Sequence, residues 1–468
     1  MAYVPGVAGG SNSPETLKNP SRGAGAELPR VPPMLVRLLS ADEPGIPSFR
    51  HWLEGVDAVR IFRGPDGVEL RAHTLEVSID DPYASANHVL LRLTPEGITI
   101  RDEGSSNGTY VDGERLLAGE ERRVRSALIE LGRTFFLLRD EMAGARDSPM
   151  MPDGAEPLTF HAGFAEELKR AGRLARRSHD LLVVGESGAG KEVVARWLHH
   201  QSGRSGPLVA VNCAALPENL LEDELFGHVK GAFSGAQSDR TGLIRAAHEG
   251  VLLLDEVGEM SPALQAKLLR VLEDRRVRPL GGERELPVDI QVIALTHRDL
   301  RTMVDEGRFR QDLHARLGLL TVRVPPVRER REDLGLLIRS VLTPLPAGVR
   351  SLRFELETLR RLLLHDWPMN VREMRKLLLA AVDLALPESE GAVVIGPQHV
   401  PSGMLGSIDW APTALAQLST EDQELRARLS ALLAQHRGNV AAVAREIEKP
   451  RIYVQRLMAR LGLHRPGH

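Results

Sequence analysis

One segment narrows the possible folds more than any other. The apolar run Leu181-Leu182-Val183-Val184 leads into Gly185-Glu186-Ser187-Gly188-Ala189-Gly190-Lys191, and a helical pattern runs on from Lys191 to His200. A buried strand that turns through glycines directly into a helix calls for a parallel sheet covered by helices. The glycines let backbone N–H groups close around phosphate oxygens, and the helix N-terminus adds favourable partial charge. Lys191 is placed to reach the β- and γ-phosphates. The general pattern ends in Ser or Thr, and this chain has Glu192. A second motif, Leu252-Leu253-Leu254-Asp255-Glu256, is an apolar strand ending in two acids. It puts carboxylates at the C-terminal edge of a parallel sheet, where ligands bind. Asp255 is expected to hold magnesium, through water, and Glu256 to orient and polarise an attacking water. From 158 to about 325 helical patterns alternate with apolar strands, which predicts an α/β domain.

Length and composition bound the rest. A chain of 468 residues suggests about three domains. Apolar content of 42% and charged content of 26% are those of a soluble globular protein. A net charge of -3 argues against a chain that coats nucleic acid or membrane along its whole length. The one cysteine, Cys213, excludes an intramolecular disulfide and suits a reducing cytoplasm. No apolar run is long enough to span a membrane, and no secretory signal is visible, so a cytoplasmic location is expected. Residues 1–33 read as a disordered tail. Residues 34–140 carry short alternating runs such as Ala58–Phe62, Val89–Leu93 and Gly97–Ile100, which predict an all-β sandwich. Residues 141–157 and 401–420 read as linkers, 326–400 as a mainly helical segment, and 421–468 as a helical, locally basic end. That end has nine Lys/Arg against five Asp/Glu.

Between the two nucleotide motifs lies Phe226-Gly227-His228-Val229-Lys230-Gly231-Ala232-Phe233-Ser234-Gly235-Ala236. Small residues flank one aromatic and one hydroxyl, a composition that suits the tip of a projecting loop. Here the sequence resembles the sigma-54-dependent transcription activators, in which a Gly-Ala-Phe-Thr-Gly-Ala loop engages sigma-54. Gly231, Ala232, Phe233, Ser234, Gly235 and Ala236 match it, with Ser234 keeping the hydroxyl and losing a methyl. The same family carries Gly-Lys-Glu at Gly190–Glu192, so the departure from the general phosphate-loop pattern supports the resemblance. It implies a nucleotide-binding AAA+ ATPase with a helical lid that uses ATP and Mg2+. It assigns Gly185, Glu186, Ser187, Gly188, Ala189, Gly190, Lys191, Glu192, His297 and Arg372 to the nucleotide. It makes Asn212 the restraint on Glu256. Arg310 and Arg316 match arginine fingers, and the resemblance implies a homo-oligomeric ring, a hexamer. Two positions depart from the family: His297 stands where Asn is usual, and Met369 where Gly is usual before Arg372.

The two ends carry further resemblances. Arg63, Ser85, His88 and Ser105-Ser106-Asn107-Gly108-Thr109 resemble a forkhead-associated (FHA) domain, a reader of phosphothreonine. The chemistry fits, since a phosphate dianion wants a guanidinium and short-range donors. Arg63, Ser85 and Asn107 are the residues that would hold the phosphopeptide, from a phosphothreonine protein or a Ser/Thr kinase. Phe62 and Ala86 depart from that pattern, and Ala86 removes a second cation. The C-terminus resembles the helix-turn-helix of the nucleoid protein Fis. A helix Ala441–Ile447, a turn at Glu448-Lys449 and a second helix from Pro450 would place Arg451, Gln455 and Arg456 toward DNA. Together these readings describe a regulator that binds enhancer DNA and uses ATP to open sigma-54 RNA polymerase complexes. Two alternatives stay open: a DNA-bound protein that senses nucleotide without hydrolysing it, and an AAA+ motor acting on another partner.

Overall fold

The computed structural model describes residues 30–400, except 118, 141, 144–158, 346–347 and 387–390, and near the C-terminus 428–429, 432, 436, 440–447 and 454. Residues 34–139 form the expected sandwich, of two six-stranded sheets. One sheet runs in the order Glu114–Arg115, Thr109–Val111, Ala127–Leu131, Thr134–Arg139, Met34–Ser40, Phe49–Trp52. The other runs Glu121–Val124, Gly97–Asp102, Val89–Thr94, Ala58–Arg63, Thr74–Ile79, Gly67–Arg71. Between them lies a core of Leu35, Val59, Ile61, Val77, Val89, Leu91, Ile100, Ile129, Phe136 and Leu138. Arg30–Val31, read as tail, and Met142–Ala143, read as linker, pair antiparallel beside the sandwich.

The strand Met34-Leu35-Val36-Arg37-Leu38-Leu39-Ser40 is buried along its whole length. A strand with one wet face alternates apolar and polar side chains, whereas one covered on both faces does not. Leu35 points into the sandwich, while Met34, Val36 and Leu38 point the other way into a second core. Leu128, Phe135 and Leu137 join them there, against Ile338, Leu342, Phe354, Leu359 and Leu362. The sandwich is therefore packed directly on residues 327–400.

Those residues form the lid: helices Leu334–Leu342, Leu356–Leu364 and Asn370–Ala385. It also contains a parallel pair, Ser351–Phe354 with Ala392–Ile395, that a mainly helical reading does not provide. Polar contacts rivet the seam. Phe354 N donates to Ala41 O at 2.7 Å, and Arg133 Nη2 donates to Phe354 O at 3.0 Å. Arg360 grips Glu130 through two parallel bonds of 2.7 and 2.6 Å. Gly335 abuts the Leu38 carbonyl so closely that a Cβ there would lie 2.2 Å from it.

The α/β unit has five parallel strands in the order Leu208–Asn212, Val251–Asp255, Gln291–Thr296, Leu181–Val184, Thr321–Arg323. Apolar layers lie on both faces of this sheet. Helices Ala162–Ala175 and Lys191–Ser202 pack on each other. This order sets the C-terminal ends of four strands side by side: Asn212, Asp255, Thr296 and Val184. Near the C-terminus, helix Val440–Glu446 lies close to the expected first helix, and Leu429, Val440, Val443, Ala444 and Val454 form a small apolar cluster. Arg451, Gln455 and Arg456, and most of the predicted linkers, lie outside the described residues. Among the described residues, no helix is long and apolar enough to cross a membrane.

Candidate functional site

The phosphate loop leaves the strand Leu181–Val184 and enters the helix Lys191–Ser202 at Gly190. Gly188 (φ +73°) and Gly190 (φ +104°) occupy the left-handed region that side chains disfavour. The space where a Gly190 Cβ would point is open. Lys191 is nearly buried and donates to the carbonyls of Gly185 (3.0 Å) and Glu186 (3.3 Å). Its pKa is lowered, chiefly by burial. The ammonium is thus folded over the loop's own backbone, 3.9 Å from Glu256 Oε1.

At the sheet edge the strand register decides who meets whom. Asn212 is paired with Asp255 in the ladder. Its Nδ2 donates to Asp255 Oδ2 at 3.2 Å, and its Oδ1 accepts from Ala214 N. The sequence-based expectation put Asn212 on Glu256; the structure puts it on Asp255. Glu256 sits one residue beyond the strand in a left-handed conformation, φ 54° and ψ 50°. There it meets His297, which follows the neighbouring strand Gln291–Thr296. Nδ1 of His297 lies 2.7 Å from Glu256 Oε2. Asp255 is pushed above the usual carboxylate range by burial and then by the Glu256 and Glu192 carboxylates. Burial, and then the Asp255 and Glu256 carboxylates, push the Cys213 thiol up to about 12, which suits a buried small residue rather than a nucleophile.

The lid closes over this loop. Arg372 Nη1 donates to Ser187 Oγ at 2.7 Å, and Val371 N to Gly188 O at 3.0 Å. A Cβ on Gly188 would lie 2.4 Å from Met369 O. Glu186 does not turn toward the loop's interior. Its carboxylate takes two bonds from Arg328, one of 2.8 Å from Nη1 and a shorter one from Nη2. It also accepts from Asn370 Nδ2 at 3.1 Å. The Arg328 guanidinium, helped by Asn370, holds the Glu186 carboxyl down at about 2. Buried Arg330 adds a bond from Nη2 to Ala189 O at 2.7 Å. Sequence reasoning did not select Arg328, Arg330 or Asn370. The first two belong to a charge run, which reads as a solvated surface. Asn370 lies between Met369 and Arg372, but only the fold shows what it reaches.

Arg310 and Arg316 are half-exposed, and the groups they bond lie outside the phosphate loop. Arg310 bonds Asp312 at 3.1 and 2.7 Å. Arg316 reaches Leu272 O and lies 3.6 Å from Asp180, which precedes the strand whose far end carries Gly185. The loop Gly231–Ala236 stands on a two-residue antiparallel stem, Gly227–His228 with Arg240–Thr241. Phe233 is 47% exposed and packs edge-on against His228, ring centroids 5.0 Å apart. His228 Nδ1 in turn lies 2.6 Å from Asp223 Oδ1. Gly281 supports the loop from beneath, close to Ala232.

In the sandwich, the expected phosphopeptide residues converge. Arg63 ends its strand exposed, and its N–H donates to Ser85 O at 2.9 Å. Ser85 Oγ accepts from Ser106 N at 3.1 Å, and Asn107 Nδ2 donates to Tyr83 O at 2.7 Å. His88 is fully buried as a strut, with Nδ1 accepting from Ser85 N and Nε2 donating to Gly108 O. Burial lowers its pKa, which keeps the ring neutral in that role. The Arg115 guanidinium lies against Gly108. It brings a cation to the loop although Ala86 has none, through strand pairing that motif spacing does not reveal.

Residues 159–323 match the family model described as the sigma-54 interaction domain, 71–129 the FHA domain and 328–413 the AAA+ ATPase lid domain. The chain is 36% identical over 425 residues to the anaerobic nitric oxide reductase transcription regulator NorR of Aeromonas salmonicida, spanning 85% of this chain and 80% of that protein. The chain belongs to the sigma-54-dependent transcriptional regulators. A second member, regulatory protein AtoC of Escherichia coli, is 41% identical over 291 residues, 60% of this chain. The chain spans 62% of AtoC's length. Among solved structures, NtrX from Brucella abortus in complex with ATP is 30% identical, with 66% of this chain and 69% of that one covered and a TM-score of 0.48. Within this sigma-54 regulator, then, a β-rich FHA sandwich, an α/β AAA+ domain and its lid are contiguous parts.

Proposed function

We propose that this regulator hydrolyses ATP to remodel sigma-54 RNA polymerase at promoters, and that the Phe233 loop makes the contact. One observation carries the reading. A single α/β domain holds a glycine-built phosphate loop, the acids Asp255 and Glu256 at its sheet edge, and a projecting loop with a half-exposed aromatic.

The residues fit the nucleotide and its cation. Asp255, Glu256 and Glu192 crowd negative charge beside one lysine; among the described residues no three such groups could enclose a metal by themselves, and Mg2+ needs only one or two carboxylates beside the phosphates of its substrate. Bound ATP would supply the terminal phosphoryl group, with Mg2+ spreading its charge. Gly185 to Glu192 form the cradle, with Lys191 as its cation. Asp255 would hold Mg2+, and Asn212 orients Asp255. Glu256 positions the attacking water, and His297 fixes the Glu256 carboxylate. Arg372 reads the nucleotide from the lid. Arg310 and Arg316 are half-exposed, which supports fingers acting on a neighbouring subunit in a ring, by family resemblance a hexamer.

The ends extend the proposal. Arg63, Ser85 and Asn107 recognise a phosphothreonine partner and so gate the motor. Arg451, Gln455 and Arg456 contact enhancer DNA, which sets the work in the cytoplasm. The test is promoter opening by sigma-54 polymerase with purified protein and ATP. Glu256→Gln should lower turnover by about 10²- to 10⁴-fold. Phe233→Ala should keep turnover and lose opening. Turnover that survives Glu256→Gln, or opening that survives Phe233→Ala, would refute the reading.

A further inference from the structure

The phosphate loop of this chain is tied to the lid at every residue from Glu186 to Ala189. Glu186 takes the Arg328 pair and Asn370 Nδ2. Ser187 receives Asn370 Nδ2 on its carbonyl, at 3.1 Å, and Arg372 on its hydroxyl. Gly188 O accepts from Val371 N, and Ala189 O from Arg330. We propose that Glu186, Arg328 and Asn370 are positioning residues that latch the lid onto the phosphate loop and set how fast nucleotide leaves. The inference rests on the nucleotide site proposed above and assigns roles that site does not need for its chemistry.

The chemistry of Glu186 carries the argument. A carboxylate on a phosphate-binding loop opposes its ligand unless a cation covers it. Arg328 covers it with a two-point fork, the geometry that a guanidinium offers a carboxylate. Meanwhile the Glu186 main-chain carbonyl accepts from Lys191. One residue thus faces two ways, its backbone to the catalytic lysine and its side chain to the lid. A phosphate ligand has no use for that side chain; a latch does.

Asn370 makes the second half. It is fully buried with φ 57°, a left-handed conformation that asparagine tolerates better than most residues. Its Oδ1 accepts from Val327 N at 2.8 Å, next to Arg328, while its Nδ2 serves Glu186 and Ser187. The amide therefore joins the lid's entry, the start of its last long helix, and the phosphate loop. Arg328 and Glu186 are each 42% exposed. Water competes for such a pair, so it opens readily without threatening the fold. Hinge residues that absorb lid movement often lie away from the chemistry and govern release.

The test follows release of fluorescently labelled ADP from the full chain by stopped flow. Glu186→Gln and Arg328→Gln should each speed release by up to about fivefold, the range of an exposed ion pair. The double substitution should add little to either single one. Glu186→Arg combined with Arg328→Glu should restore slow release, which a merely structural role would not do. Asn370→Ala should speed release further, with thermal unfolding recorded to show that the chain still folds. Additive single effects, an unrescued charge swap, or wild-type release from the single variants would overturn the latch alone. A wild type that holds no labelled ADP would overturn the nucleotide site and the latch together.

Discussion

The lid has two seams, and they are built in opposite ways. Toward the sandwich it is welded: Met34, Val36, Leu38 and Phe135 share one apolar core with Ile338, Phe354 and Leu362. The ion pair there, Arg360 with Glu130, is only 14% and 5% exposed. Toward the phosphate loop it is buttoned: polar bonds to Glu186, Ser187, Gly188 and Ala189, and an ion pair 42% exposed on each side. Burial strengthens a charge pair's hold on its surroundings, because breaking it strands a charge in apolar protein. Exposure lets water take over either partner at little cost. Sandwich and lid thus share one apolar core, whereas lid and phosphate loop are joined by polar bonds, of which the Arg328–Glu186 pair is the one that water can reach.

The largest expected effect lies at the weld. Glu130→Ala leaves the Arg360 guanidinium buried without its carboxylate and should cost about 3–5 kcal/mol in denaturant unfolding. A loss below about 1 kcal/mol would mean that the weld is no stronger than the button.

A middle effect comes from Glu332, at the lid's entry and facing Arg139 of the sandwich. It is completely buried, 3.4 Å from Arg139 Nε. Burial, against the opposing pull of Arg139, pushes its carboxyl up to about 7. The sign follows from linkage. The folded protein binds a proton here more tightly than the unfolded chain, so stability falls as pH rises from about 4.5 to about 7, and the penalty is complete above that. Glu332→Gln should therefore stabilise the protein by about 1–3 kcal/mol at pH 8, with the gain vanishing below pH about 4.5. A gain independent of pH would assign the effect to packing instead of charge.

The smallest effect belongs to the button. Glu186→Gln should change global stability by no more than about 1 kcal/mol, because solvent screens the pair. A loss as large as that at Glu130 would erase the contrast between the seams.

Parts of this were legible from residues alone. The strand–loop–helix at Leu181–His200, the acids at Asp255 and Glu256, and the loop around Phe233 sit in short contiguous stretches, where local chemistry dictates both structure and spacing. The site's cross-connections were not. His297 meets Glu256, and Asn212 meets Asp255, because of strand order and register across the sheet. Neither can be counted off along the chain. The strand Met34–Ser40, with Arg37 among its apolar residues, is covered on both faces, and only the fold shows that the second cover is the lid. Arg328 and Arg115 look like ordinary surface charges until folding sets one on Glu186 and the other beside Gly108.

The kinds of unit present were written in the residues, since periodicity and turn chemistry act over a few positions: a sandwich, an α/β domain with a phosphate loop, and helices beyond it. Folding alone settled which acid each amide and imidazole restrains, and which lid seam is apolar and which is polar. Those outcomes depend on contacts between residues far apart in the chain. Such contacts are set by how whole faces pack and exclude water, and no local pattern records that.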